Sequence, residues 1–126
     1  LYYNLDSLNK EQLLPTLDTD GIVVVTAGAG SGKTRVLTHR IFHLILDKNV
    51  KPENILAITF TNKATNELKE RLSRVVSNAQ GVWVSTFHSM CAKILRENIS
   101  YIDGFNRFFT IYDTDDQDKV IKIIFN

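Results

Sequence analysis

The eight residues Ala27-Gly28-Ala29-Gly30-Ser31-Gly32-Lys33-Thr34 follow directly on the apolar run Ile22-Val23-Val24-Val25. Their types and spacing suit one task, holding a chain of phosphates. Glycines let the backbone curl tightly and turn its N–H groups inward toward phosphate oxygens. A helix opening at the same spot adds the positive end of its dipole. Lys33 supplies a mobile cation for the β- and γ-phosphates, and the Thr34 hydroxyl can coordinate Mg²⁺. The pattern departs from its usual form at one position, where Ala27 stands six residues before the lysine in place of Gly. A glycine-rich strand–helix turn with a chance Gly-Lys-Thr is the bland alternative, and the apolar run before and periodic helix after argue against it.

Three other groups can do chemistry. Gln12 can present a donor and an acceptor to adenine, or can simply close a capping box with Asn9. Phe60-Thr61-Asn62-Lys63 sits at the carboxyl end of an apolar strand, where open α/β sheets bind ligands. Thr61, Asn62 and Lys63 at a helix start can hold a phosphate, while Phe60 is either a stacking face for a base or a core residue. Ser85-Thr86-Phe87-His88-Ser89 occupies the equivalent edge after the next strand, and its hydroxyls and histidine can meet a sugar–phosphate backbone. There Phe87 falls on an apolar stripe and reads as core, whereas His88 lies off it and reads as exposed. Cys91 is on the stripe and reads as an inert core thiol. The charges of Glu67, Lys69, Glu70, Arg71 and Arg74 read as the solvated face of a helix.

These residues need a scaffold of alternating strands and helices. A short helix spans about 8–14, with Asn9 and Gln12 at capping-box spacing. Strands are expected at 22–26, 55–60, 82–84 and 109–112. The second, Ile55-Leu56-Ala57-Ile58-Thr59-Phe60, is nearly all apolar, as strands buried on both faces are. Helices are expected from Lys33 to Asp47, then along the stripe Ala64, Leu68, Leu72, Val75 and Val76, then along Phe87, Met90, Cys91, Ile94 and Leu95. A last helix opens near Thr114, with Gln117 at capping-box spacing. The alternation predicts βαβ units and a parallel sheet flanked by helices. The final stripe is barely established at Ile123-Ile124-Phe125-Asn126, which reads as a piece of a longer domain.

Composition narrows the class. The chain has 126 residues, 44% of them hydrophobic and 23% charged, an ordinary globular balance. Its formal net charge of +1 excludes binding nucleic acid by bulk charge and leaves room for a local surface. A single cysteine cannot form an intramolecular disulfide and fits a reducing compartment such as the cytoplasm. No apolar run approaches the roughly 18 residues of a membrane span.

In order and spacing, these segments resemble the opening of a superfamily 1 DNA helicase of the UvrD/PcrA/Rep type. Leu8-Asn9-Lys10-Glu11-Gln12 resembles that family's Q motif, and Ala27 to Thr34 resembles its A-x-x-G-x-G-K-T form of the Walker A box. Ile58 to Ala64 resembles motif Ia, Val84 to Cys91 resembles motif Ib, and Phe109-Thr110-Ile111-Tyr112-Asp113 is also similar. The likeness covers residues 8–118 and is nearest the PcrA-like branch. It implies a P-loop NTPase fold of the RecA-like kind, incomplete here, with residues 1–112 in the first motor domain and 113–126 beginning an inserted helical subdomain. It further implies ATP and Mg²⁺ as cofactors, held by Ala27, Gly28, Ala29, Gly30, Ser31, Gly32, Lys33 and Thr34, with Thr34 on the metal and Gln12 and Arg35 at the adenine. Phe60, Thr61, Asn62, Lys63, Thr86 and His88 would then lie along single-stranded DNA, near a duplex junction. The family moves 3′ to 5′ on single strands and unwinds duplexes. Its Asp-Glu motif, its transition-state arginines and its second motor domain would all lie past Asn126. Two other classes compete: a small P-loop nucleotide kinase, and a weak nucleotide- or DNA-binding module without activity.

Overall fold

The structure, a computed structural model, describes residues 3–125. These fall into two compact units, one running to Phe87 and one starting at His88.

The first unit begins with helix α1, Lys10–Leu17. Asn9 caps it through a reciprocal pair: its side chain accepts from the Gln12 N–H at 2.8 Å, and its own N–H donates to Gln12 Oε1 at 3.3 Å. The expected capping box is therefore present. Helix α2, Lys33–Phe42, opens straight out of the glycine-rich loop and ends in a π-helical turn, His43–Asp47. The helical span expected to Asp47 is thus reached, with its last turn widened.

A parallel pair of strands follows, β1 (Leu56–Thr59) and β2 (Trp83–Thr86), with Leu56 opposite Trp83 and Thr59 opposite Thr86. Between them runs helix α3, Asn62–Ser73, capped by Thr61, whose side chain accepts from the Ala64 N–H at 3.1 Å. This β–α–β unit is the parallel arrangement that the alternation predicts. One face of the pair is closed by Ile41 and Phe42 of α2 and by Leu68 and Leu72 of α3, which with Ile55, Ala57, Val76, Ala79, Val82 and Val84 form the core. Leu68 and Leu72 are each 1% exposed, and Ala64 and Val75 flank them half-buried, so the α3 stripe is the expected one. Its opposite face carries the ion pairs Glu67–Arg71 and Glu70–Arg74, as the charge set implies.

Three expectations are corrected in this unit. Residues 22–26 form no strand, and Ile22 and Val24 project outward with exposures of 96% and 83%. A β-branched apolar run makes a segment competent for a ladder, yet a strand exists only when a neighbour offers its edge, and these residues pair with none among those described. Strand β1 is not buried on both faces: Ala57 points into the core while Leu56 and Ile58 are nearly half exposed on an open face. The strand expected at 82–84 lies two residues later at its far end, so Ser85 and Thr86 are strand residues and are buried.

The second unit holds the rest of helix α4, Phe87–Asn98, and helix α5, Thr114–Phe125, joined by an irregular stretch. Phe109–Tyr112 forms no strand, again for want of a paired edge. The α4 stripe is not a core stripe: Phe87 is 60% exposed, Ile94 and Leu95 are exposed, and Met90 and Cys91 are half-buried. Arginines cover some of the aromatic surface, with Arg96 lying 5.5 Å over the Phe109 ring and Arg107 5.2 Å over Phe108. Helix α5 starts where expected, but its capping box uses Asp113 and Asp116 in place of Thr114 and Gln117. Asp113 accepts from the Asp116 N–H at 2.9 Å, and a carboxylate makes that charge-assisted bond stronger than a hydroxyl would. No helix among the described residues is long and apolar enough to cross a membrane.

Candidate functional site

The glycine-rich loop turns sharply because two of its glycines take left-handed conformations, Gly30 at φ 75° and Gly32 at φ 89°. A side chain at either place would be strained. Ser31 tightens the turn by donating from its hydroxyl to the Gly28 carbonyl at 2.7 Å. Gly32 is also the N-cap of α2 and brings no side chain to cap it, so the first amides of the helix stay open to a ligand. Lys33 folds back across the loop, its ammonium donating to the carbonyls of Ala27 at 3.1 Å and Gly28 at 2.5 Å. Thr34 is exposed one residue further on, and its carbonyl accepts from the Thr38 hydroxyl at 2.7 Å.

Helix α1 lies against this loop and α2, strapped by side chains that reach main-chain carbonyls. Gln12 Nε2 donates to the Ser31 carbonyl at 3.1 Å, and Arg35 donates to the Ser7 carbonyl at 3.0 Å. Arg40 donates to the Pro15 carbonyl at 2.5 Å and to that of Asp18. The structure thus brings Gln12, the loop, Lys33, Thr34 and Arg35 to one place. Beside them lies a cavity of about 400 Å³ lined by Pro15, Val23, Val25, Lys33, Val36 and Arg40. Its wall is mainly apolar, with two cationic side chains at its edge. Sequence spacing foretold the cap on Gln12 but not its bond across nineteen residues to Ser31, nor the reach of Arg40.

The second group is placed at the carboxyl end of the strand pair. Phe60 follows β1 and is 97% exposed, outside the core formed by the described residues. Thr61, Asn62 and Lys63 are exposed at the start of α3. Thr61 serves as the cap, and because its oxygen accepts there, its O–H stays able to donate. Thr86 is buried at the end of β2, opposite Thr59. His88 is exposed in the first turn of α4, as its place off the stripe predicts.

Sequence spacing does not bring one further cluster together. The Tyr3 hydroxyl donates to Asp47, and His43 Nδ1 lies 2.7 Å from the same carboxyl oxygen. Burial, then the hydrogen bond and negative charge of Asp47, push the Tyr3 phenol well above its ordinary pKa. The Tyr3 and His43 hydrogen bonds hold the Asp47 carboxyl below the ordinary carboxylate range. The spacing of four between His43 and Asp47 was a usable signal. Tyr3, forty residues away, offered none.

Known proteins are similar to this chain in sequence. The chain is 56% identical over 119 residues to the ATP-dependent DNA helicase PcrA of Bacillus subtilis, and 54% identical over 119 residues to that of Staphylococcus aureus. It is 55% identical over 117 residues to the same-named protein of Staphylococcus epidermidis. Each alignment takes in 92–94% of this chain and 16% of the relative, so the chain spans about a sixth of their length. Residues 8–126 also match the family described as the UvrD/REP helicase N-terminal domain. That match takes in nearly the whole chain, so the chain belongs to the UvrD/REP helicase N-terminal domain family.

Proposed function

We propose that this chain is the nucleotide-binding opening of a motor that hydrolyses ATP to move 3′ to 5′ along single-stranded DNA and separate duplexes in the cytoplasm. The observation that carries the reading is the loop: two left-handed glycines, the uncapped start of α2 and the Lys33 ammonium converge within a few residues. A triphosphate would replace the Ala27 and Gly28 carbonyls as the partner of Lys33 and would accept from the open amides of α2.

The donor set also fits a magnesium ion. Among the described residues no group of three or more His, Cys, Asp or Glu side chains is placed to hold a metal. Mg²⁺ typically rests on one or two protein oxygens and on substrate phosphates, not in an all-protein cage. The exposed Thr34 hydroxyl can supply one such oxygen, and the bound ion would neutralise charge on the phosphates. Gln12 and Arg35 would face the adenine. In this reading residues to Tyr112 belong to a RecA-like motor domain and those from Asp113 open a helical insertion. Single-stranded DNA would meet Phe60, Thr61, Asn62 and Lys63 and also Thr86, with His88 next along the chain.

Lys33→Ala tests the proposal. Hydrogen bonds to charged groups contribute about 1.5–3 kcal/mol, so calorimetry should show Mg-ATP affinity falling at least tenfold, on the order of 10–150-fold. In the longer parent protein hydrolysis should be lost. Affinity and turnover within about twofold of the unaltered protein would remove Lys33 from the site.

A further inference from the structure

The Gln12 side chain has a second occupation that base recognition does not require. Its Nε2 donates to the Ser31 carbonyl across the gap between α1 and the loop. That carbonyl belongs to the Ser31–Gly32 peptide, and in a trans peptide the C=O and the N–H point in opposite directions. Fixing the Ser31 carbonyl toward α1 therefore fixes the Gly32 N–H away from it. The restraint bears on a peptide whose C-terminal side is Gly32, at φ 89°, a residue with no Cβ to resist rotation about that bond.

The approach is close. A Cβ built on Gly32 would stand 2.6 Å from Gln12 Nε2, so the amide fills the space that a side chain at 32 would need. Gln12 is itself held, since its Oε1 accepts from the Asn9 N–H at 3.3 Å. A carboxamide has two donor hydrogens and two acceptor lone pairs. These two bonds use one of each and leave one of each for a base.

We propose that Gln12 is a positioning residue for the phosphates: through the Ser31 carbonyl it holds the Ser31–Gly32 peptide in the orientation that presents the Gly32 N–H, with or without a base present. This rests on the reading of the loop as a triphosphate site.

The test uses a ligand with no base. Calorimetric titration of the 126-residue chain with inorganic tripolyphosphate and Mg²⁺ is compared with titration by Mg-ATP, for the unaltered chain, Gln12→Ala and Asn9→Ala. Gln12→Ala should weaken tripolyphosphate by about two- to tenfold, the range that one net hydrogen bond supplies. Asn9→Ala removes the cap acceptor and keeps the amide in place, so it should bind tripolyphosphate like the unaltered chain. If Gln12→Ala loses ATP but binds tripolyphosphate undiminished, Gln12 only reads the base and the proposal is wrong. Equal weakening in Asn9→Ala would trace the effect to fraying of α1 and overturn it as well. Should the unaltered chain bind neither ligand, the triphosphate reading itself fails and takes this one with it.

Discussion

At the scale of single residues, exposure bears on roles that the sequence leaves open. Phe60 was open between a stacking face and a core position, and with 97% of its surface exposed it contributes almost nothing to packing. Phe60→Ala should therefore leave the melting temperature of the chain nearly unchanged, as surface substitutions within about 0.5 kcal/mol do. Affinity for a labelled oligothymidylate, followed by fluorescence anisotropy, should fall by about 1–3 kcal/mol, the contribution of one stacked base. A steep drop in melting temperature with unchanged affinity per folded molecule would reverse the assignment. The Tyr3–Asp47 contact makes a different prediction. Folding keeps the Tyr3 phenol protonated past its ordinary pKa of about 10. Its stabilising contribution is thus complete below that pH and is lost as pH rises through the folded value. Asp47 runs the other way: its contribution is complete above the ordinary carboxylate range and is lost as pH falls through its lowered value. Alkaline absorbance titration should show one tyrosine ionising late, and Tyr3→Phe should remove that component.

At the scale of elements, what was legible in the sequence was local, and what was not required a partner. The Asn9–Gln12 box and the stripe of α3 depend only on spacing along one helix, and both stand where spacing put them. Leu68 is the clearest case, fully buried between α3 and the strand pair. Leu68→Ala should cost about 2–5 kcal/mol, read from chemical denaturation. A change under about 1 kcal/mol would mean that the β–α–β unit does not pack as described. Ile22–Val25 shows the limit. Its composition resembles that of a buried strand, but composition cannot say which edge it will meet, and among the described residues none does. The same limit applies to Phe109–Tyr112 and to the outer face of β1. At the loop, the glycines and Lys33 were legible by type, whereas the Gln12 and Arg40 straps join residues nineteen or more positions apart. No periodicity encodes a bond of that kind. The box on α5 moved by one residue because aspartates at 113, 115 and 116 give that turn several competing caps.

At the scale of the whole molecule, a balanced charge and a sixth of the relatives' length set what this chain can do. Phosphoryl transfer depends on groups that orient water and stabilise the departing phosphate, and these supply most of the rate. In the proposed reading these 126 residues supply the phosphate loop alone, so the chain should bind Mg-ATP weakly and hydrolyse it no faster with single-stranded DNA than without. A strand-separation assay on the purified chain should give no product. Unwinding by these 126 residues would refute the view that the loop is one part of a divided site.

The straps between α1, the loop and α2 share a property with consequences for mutation. Gln12, Lys33, Arg35 and Arg40 each donate to main-chain oxygens, on Ser31, Ala27, Gly28, Ser7, Pro15 and Asp18. Every residue type carries a backbone carbonyl, so the accepting positions impose no side-chain identity through these bonds, while the donating positions do. Tolerance to substitution is therefore asymmetric across each contact. Ser7 and Asp18 can drift without loosening the straps that end on them, whereas Arg35 and Arg40 cannot be replaced by any side chain that lacks both the reach and the hydrogens.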